Sequence, residues 1–113
     1  MVKFVSIFKR PPTMTFEELK EWWLGPHAAL GKQMPGVKKY TVSLSIAAPD
    51  DMYRPGEEAG KDFDGIAELW FDSFDDLRKA QQSETMTKAK NDVVAHGVTE
   101  VAKMFFEEYP QIP

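Results

Sequence analysis

The apolar positions along the chain fall into two kinds of pattern, and their order already suggests an architecture. Residues 2–9 are rich in Val, Ile and Phe and are halted by Pro11-Pro12, which predicts a first strand. Phe4 and Phe8 point one way and Val5 and Ile7 the other, so this strand is expected to be central and covered on both sides. Thr15 followed by Glu18 has the spacing of a capping box, with Met14 and Leu19 at the positions of a hydrophobic staple, so a helix is predicted to start here. At about 100° per residue, Phe16, Leu19, Trp23, His27, Leu30 and Met34 fall within an arc of about 80°, which places a histidine inside the core stripe. Gly25-Pro26 interrupts that helix, because proline brings no amide hydrogen and its ring crowds the preceding turn, so a kink is predicted between Trp22 and His27.

Pro35-Gly36 ends the helical pattern, and residues 37–48 alternate. Tyr40, Val42, Leu44 and Ile46 share one face, while Lys39, Thr41, Ser43 and Ser45 share the other, as in an edge strand. Residues 49–63, with two prolines, two glycines and paired acids, are expected to form one long loop suited to a lid or a binding role. Residues 65–71 are again apolar on both faces except for Glu68, and predict a second central strand. Ser73 opens a short helix carrying Phe74, Leu77 and Ala80, and Ser83 opens a second through Met86, Ala89 and Val93 towards Gly97. Residues 101–109 read as the last strand. The order strand, helix, strand, strand, helix, strand fits an α+β, ferredoxin-like βαββαβ sandwich, with an antiparallel sheet covered by helices on one face. The other face would then show Phe, Trp and Val side chains to water, and a homodimer of two such sheets closing into an α+β barrel is expected.

Composition narrows the function. At 113 residues the chain is expected to be a single domain, 1–113, and 42% hydrophobic with 28% charged residues is ordinary for a globular protein. A net charge of −4, with no basic cluster beyond pairs such as Lys9-Arg10, argues against a nucleic-acid partner. The apolar run at the start is too short for a membrane span and lacks the features of a signal peptide, so no membrane partner and a cytoplasmic location are expected. Without a single cysteine there are no disulfides, thiol nucleophiles or thiolate-bound metals. No metal-binding spacing, phosphate-cradling glycine motif or nucleophile elbow is present, which leaves proton transfer without a cofactor on a small-molecule substrate.

For that chemistry His27 is the sharper of two histidines, since imidazole titrates near neutrality and lies here beside a helix break. Its spacing is equally compatible with a core histidine bonded to a freed carbonyl. Tyr40 could share a cavity with it or be a core aromatic with its hydroxyl at the rim. Glu68, an acid within an apolar strand, could be a third catalytic group that orients the imidazole or acts as an acid or base itself, or it could reach the sheet edge or pair with a lysine across the dimer. Asp92 and His96, four residues apart on one helix, could support the site or form a solvated pair. Trp22, Trp23 and Trp70 are candidate pocket walls.

Three segments together, 23–30 (WLGPHAAL), 34–40 (MPGVKKY) and 64–73 (DGIAELWFDS), resemble the EthD family of dimeric α+β barrels. The resemblance implies a ferredoxin-like homodimer with a pocket in each subunit between helices and sheet. A lactone-isomerising relative of similar size uses a histidine and a tyrosine spaced like His27 and Tyr40. Carried over, His27 would move a proton and Tyr40 would polarise a carbonyl or carboxylate. An isomerase, lyase or cyclase reaction on an oily lactone, carbonyl or aromatic catabolite is the leading expectation. An oxidoreductase role, as a cofactor-free oxygenase or an accessory to a monooxygenase, is the alternative, and a non-catalytic ligand-binding or stress-response dimer is a third reading.

Overall fold

The computed structural model describes residues 1–57 and 62–112. Four strands, β1 (Val2–Lys9), β2 (Lys39–Leu44), β3 (Gly65–Phe71) and β4 (Thr99–Glu107), form one sheet in the order β2-β3-β1-β4, with every neighbouring pair antiparallel. The two segments that are apolar on both faces, β1 and β3, are the central strands. The alternating segment β2 is an edge. All helices lie on one face, giving the ferredoxin-like α+β sandwich.

The register fixes which side chains meet the helices. On β1 these are Phe4, Ser6 and Phe8, on β3 Ala67, Leu69 and Phe71, and on β2 Tyr40, Val42 and Leu44. They pack against Leu19, Trp23, Leu77 and Met86 from the helices, and Leu19, Trp23, Phe71 and Leu77 are almost wholly excluded from water. β2 is shorter than its alternation suggests. Leu44 pairs with Gly65, the first residue of β3, one further backbone bond runs from the Ser45 amide to the Asp64 carbonyl at 2.7 Å, and beyond it Ile46 is left 78% exposed instead of facing the core. Of the acidic loop expected over 49–63, residues 58–61 lie outside the described part, and the earlier residues include a 3₁₀ turn at Asp50–Met52.

Between β1 and β2 the helical stretch has three parts. Helix α1 (Phe16–Trp22) opens with the capping box: the Glu18 amide donates to Thr15 Oγ1 at 3.1 Å and the Thr15 amide to Glu18 Oε1 at 3.0 Å. A π-helical turn follows at Trp23–His27, and α2 (Ala28–Lys32) completes the stretch. Pro26 has no amide hydrogen to continue the α pattern, and the wider turn takes it up: the Ala28 amide reaches back to the Trp23 carbonyl, five residues away. The predicted kink is thus a π-turn, and Trp23 and His27 at its two ends are both buried. Helices α3 (Phe74–Gln81) and α4 (Glu84–Ala95) are separated at Ser83, whose hydroxyl accepts from the Met86 amide at 3.2 Å and caps the second of them. Among the described residues no helix is long and apolar enough to cross a membrane.

The sheet face away from the helices is less oily than expected. Lys3 sits in its middle, 3.0 Å from Glu68 Oε2 and 5.2 Å from the centroid of the Trp70 ring, and Lys39 lies 4.5 Å over the same ring. The Trp70 indole donates to Glu108 at 2.6 Å. Trp70 and Val5 are consequently buried within the chain, and the apolar groups left in water on this face, Met104 and Phe106, belong to β4.

Candidate active site

Between the sheet and helix α4 lies a cavity of about 350 Å³ with largely apolar walls, in the size range of small-ligand sites. His27 enters it from the π-turn and is only 7% exposed. Its ring is held on two sides. Nδ1 lies 2.9 Å from Asp92 Oδ2, and the Trp22 indole stacks on the ring with centroids 4.5 Å apart and planes inclined by 28°.

Asp92 is the hub of this arrangement. Its Oδ2 also accepts the Trp22 indole hydrogen at 3.0 Å, which occupies both lone pairs of that oxygen, and its backbone carbonyl lies 2.8 Å from His96 Nδ1. The His96 ring also lies against Trp22, with centroids 4.8 Å apart and planes inclined by 32°. A carboxylate can only accept, so His27 Nδ1 must carry the hydrogen, and Nε2 is left as the bare lone pair of the neutral ring. Burial pushes the His27 pKa below its ordinary 6.5, outweighing the upward pull of the Asp92 hydrogen bond and charge. The ring is therefore neutral near pH 7 and held in the tautomer of a general base.

Tyr40, on β2, lines the same cavity. Burial raises its pKa above 10.0, so it remains a protonated donor. The Trp23 indole draws that shift partly back; it lies near the phenol oxygen without reaching hydrogen-bond geometry, and its buried N–H has no other partner. The ring of Tyr40 rests directly on Gly31 of α2, where an added Cβ would come 2.5 Å from Cε2 and 3.0 Å from the hydroxyl. Gly31→Ala is therefore expected to turn Tyr40 out of place. The ~1 kcal/mol that alanine gains over glycine inside a helix is offset by an overpacking cost of about 1–3 kcal/mol. Thermal unfolding should show a net loss, and the near-UV circular dichroism of tyrosine should change with it.

Of the other residues marked from sequence, the structure brings Asp92 and Trp22 to His27 and adds His96 behind them. Glu68 does not join them: strand alternation sends Ala67 and Leu69 to the cavity and Glu68 to the opposite sheet face, where it pairs with Lys3 of its own chain. Trp70 lies on that face too. Trp22 and Trp23 are buried behind the site and are not its walls, which are made by residues such as Phe4, Phe8, Leu69, Met86 and Val98.

Residues 11–96 match the family model of the EthD domain. The chain belongs to the EthD family. It is 27% identical, over 84 residues, to a 4-carboxymethyl-4-methylbutenolide mutase of Pseudomonas reinekei, an alignment spanning 74% of this chain and 77% of that protein. A solved EthD family protein from Bacillus halodurans superposes with a TM-score of 0.72 at 22% identity, covering 96% of this chain and 99% of the other. SnoaB of Streptomyces nogalater, a cofactor-independent oxygenase, superposes at 0.65 with 18% identity over 99% of this chain and 96% of its own.

The EthD chain also holds site residues that its sequence pattern hides. Ser6 is 4% exposed and donates to Glu100 Oε2 at 2.6 Å inside the cavity wall, and Lys90 lines the wall from α4. Ser6 could have been found as the one polar residue between Phe4 and Phe8 on the inward face of β1. Glu100 could not, because simple alternation back from Phe105 and Lys103 puts Val101 inward and Glu100 outward. A β-bulge intervenes: Ile7 pairs with Ala102 and Phe8 with Glu100, so Val101 is skipped and Glu100 turns to the helix side.

Proposed function

We propose that this chain is a small-molecule catabolic enzyme that moves a proton on a hydrophobic lactone or carbonyl compound without a cofactor, in the manner of an isomerase. The observation that carries the reading is the His27–Asp92 hydrogen bond, which leaves His27 Nε2 bare in a cavity shared with Tyr40. His27 would take a proton from the carbon beside the carbonyl. The imidazolium formed is stabilised by Asp92. Tyr40 donates to the carbonyl or carboxylate oxygen as charge builds there. For a lactone that carries a methyl and a carboxymethyl group on its saturated ring carbon, the proton taken is that of the carboxymethyl CH₂, and the lactone C–O bond at that ring carbon breaks as the new C=C bond forms. The opened diacid then closes again through its other carboxylate, and His27 returns the proton to the carbon next to the first carboxylate, so that atoms balance and no co-reactant is consumed. The mutase relative, whose name gives a methylated butenolide carrying a carboxymethyl group, supports a lactone as the first substrate to try. The exposed Met104 and Phe106 on the outer sheet face support a second copy of the chain as its partner there.

Incubation with 4-carboxymethyl-4-methylbutenolide in D₂O, followed by proton NMR, is the direct test. An isomeric lactone carrying deuterium is expected. Tyr40→Phe should slow its formation by about 10–100-fold while binding is largely kept, since only a transition-state contact is lost. Oxygen uptake during turnover, or exchange at the same rate in Tyr40→Phe, would count against the scheme.

A further inference from the structure

The Ser6–Glu100 pair takes no part in the scheme above, and its chemistry is specific. Ser6 is almost fully buried in the middle of a central strand, and its hydroxyl hydrogen is committed to Glu100 Oε2 at 2.6 Å. What remains towards the cavity is lone pairs only: those of Ser6 Oγ and those of Glu100 Oε1. The carboxylate is not neutralised from within. Lys103, opposite Ser6 on β4, lies over the rings of Phe4 and Phe105, and Lys90 forms no ion pair with it among the described residues. The bulge at Val101 is what aims Glu100 inward, and bulges that re-aim one side chain are a recurrent device beside binding sites.

From this geometry we infer that Ser6 and Glu100 form a specificity site that accepts a hydrogen bond from a hydroxyl group on the ligand, remote from the carbonyl held by Tyr40. The two stations come from opposite edges of the sheet. Tyr40 is on β2 and Glu100 on β4, three strand spacings apart, or roughly 14 Å between backbones. The side chains converge on a cavity whose remaining walls are mostly apolar, so a molecule touching both carries its hydroxyl across a ring or a short hydrocarbon from its carbonyl. Glu100 is exposed overall and Ser6 is buried, so a ligand lacking the hydroxyl would strip water from the Ser6 oxygen and the cavity side of the carboxylate and return nothing, which lowers its affinity relative to the hydroxylated compound.

The inference rests on the cavity being the ligand site, as in the reading above, and it is tested by binding alone. Titration of the ¹⁵N-labelled protein with 4-hydroxyacetophenone and with acetophenone, followed by amide shifts, gives two dissociation constants. The hydroxylated ketone should bind at least about tenfold more tightly to the wild type. Glu100→Gln, which keeps the shape but can turn amide hydrogens to the cavity, should bring the ratio close to one. Glu100 is on an exposed strand end, and the ratio of two affinities is insensitive to a general loss of packing. Equal affinities with shifts around His27 would overturn the specificity site and leave the proton-transfer reading standing, as would a preference that survives in Glu100→Gln. If neither ketone shifts the cavity amides up to its solubility limit, both readings fall.

Discussion

His27→Ala is expected to lower turnover at least ~100-fold, the loss typical of removing a general base, while the protein stays folded. Two features of the site separate this outcome from a collapse of the fold. The Asp92 carboxylate keeps the Trp22 indole hydrogen on Oδ2 and lies 3.3 Å from His96 Nδ1 through Oδ1 when the imidazole of His27 is gone, so it is not stranded. The ring itself lines a cavity, so its removal enlarges a hollow already present. Circular dichroism should thus be unchanged and the melting temperature only modestly lower. The wild-type pH profile adds a second check. A base must be neutral to act, so activity is expected to be full above the ordinary histidine value of 6.5 and to fall only at more acid pH, because burial lowers the His27 pKa. Stability follows the same direction. The unfolded chain binds the proton more readily than the folded one, so His27 contributes no penalty above 6.5 and a growing one as pH falls from there to its folded pKa. An acid limb lying above 6.5, or an active His27→Ala variant, would remove His27 from the chemistry.

Much of this arrangement is legible in the residues alone, and the exceptions share one cause. Residues facing both sides on β1 and β3, alternation on β2, and the Thr15–Glu18 cap are local periodicities, and the helix stripe that placed His27 inward depends only on the 100° turn per residue. The alternation of β3 also contained the correct reading of Glu68: a residue between Ala67 and Leu69 must face away from both, and only the uncertainty over which face held the cavity allowed it to be grouped with His27. Asp92 was within reach by the same reasoning, since it follows Ala89 by three on the core side of α4. What local pattern could not supply was contact across elements. The hydrogen bond from His27 to Asp92 spans 65 residues, and its existence depends on how α4 docks on the π-turn. Glu100 depended on a bulge, a one-residue break of period that leaves no mark in composition. The outer sheet face is less apolar than the pattern of Phe, Trp and Val suggests because the ammonium groups of Lys3 and Lys39 lie over Trp70, a contact between strands that periodicity does not show.

Asp92→Asn is the variant that separates the charge of this positioning residue from its shape, and its expected effect is large. Asparagine is the same size, and a single oxygen of Asp92 takes both the Trp22 indole hydrogen and the His27 Nδ1 hydrogen. The indole can only donate, so the asparagine amide oxygen must occupy that place, and both hydrogen bonds and the Nδ1–H tautomer are kept at a cost of about 1 kcal/mol. What is lost is the negative charge. The imidazolium that forms when His27 takes the proton no longer has a carboxylate beside it, and turnover should fall by roughly 10–100-fold. The pH profile gives an independent signature. Asp92 raises the His27 pKa by hydrogen bond and by charge, against the lowering by burial and by His96, so removing the charge leaves the lowering causes less opposed. The acid limb of the residual activity should shift to still lower pH while the plateau drops. ¹⁵N NMR of the imidazole should show the hydrogen on Nδ1 in both proteins. A variant with an unmoved limb and undiminished turnover would mean that Asp92 only packs the helices together, and His27 would then need a different partner to act as a base.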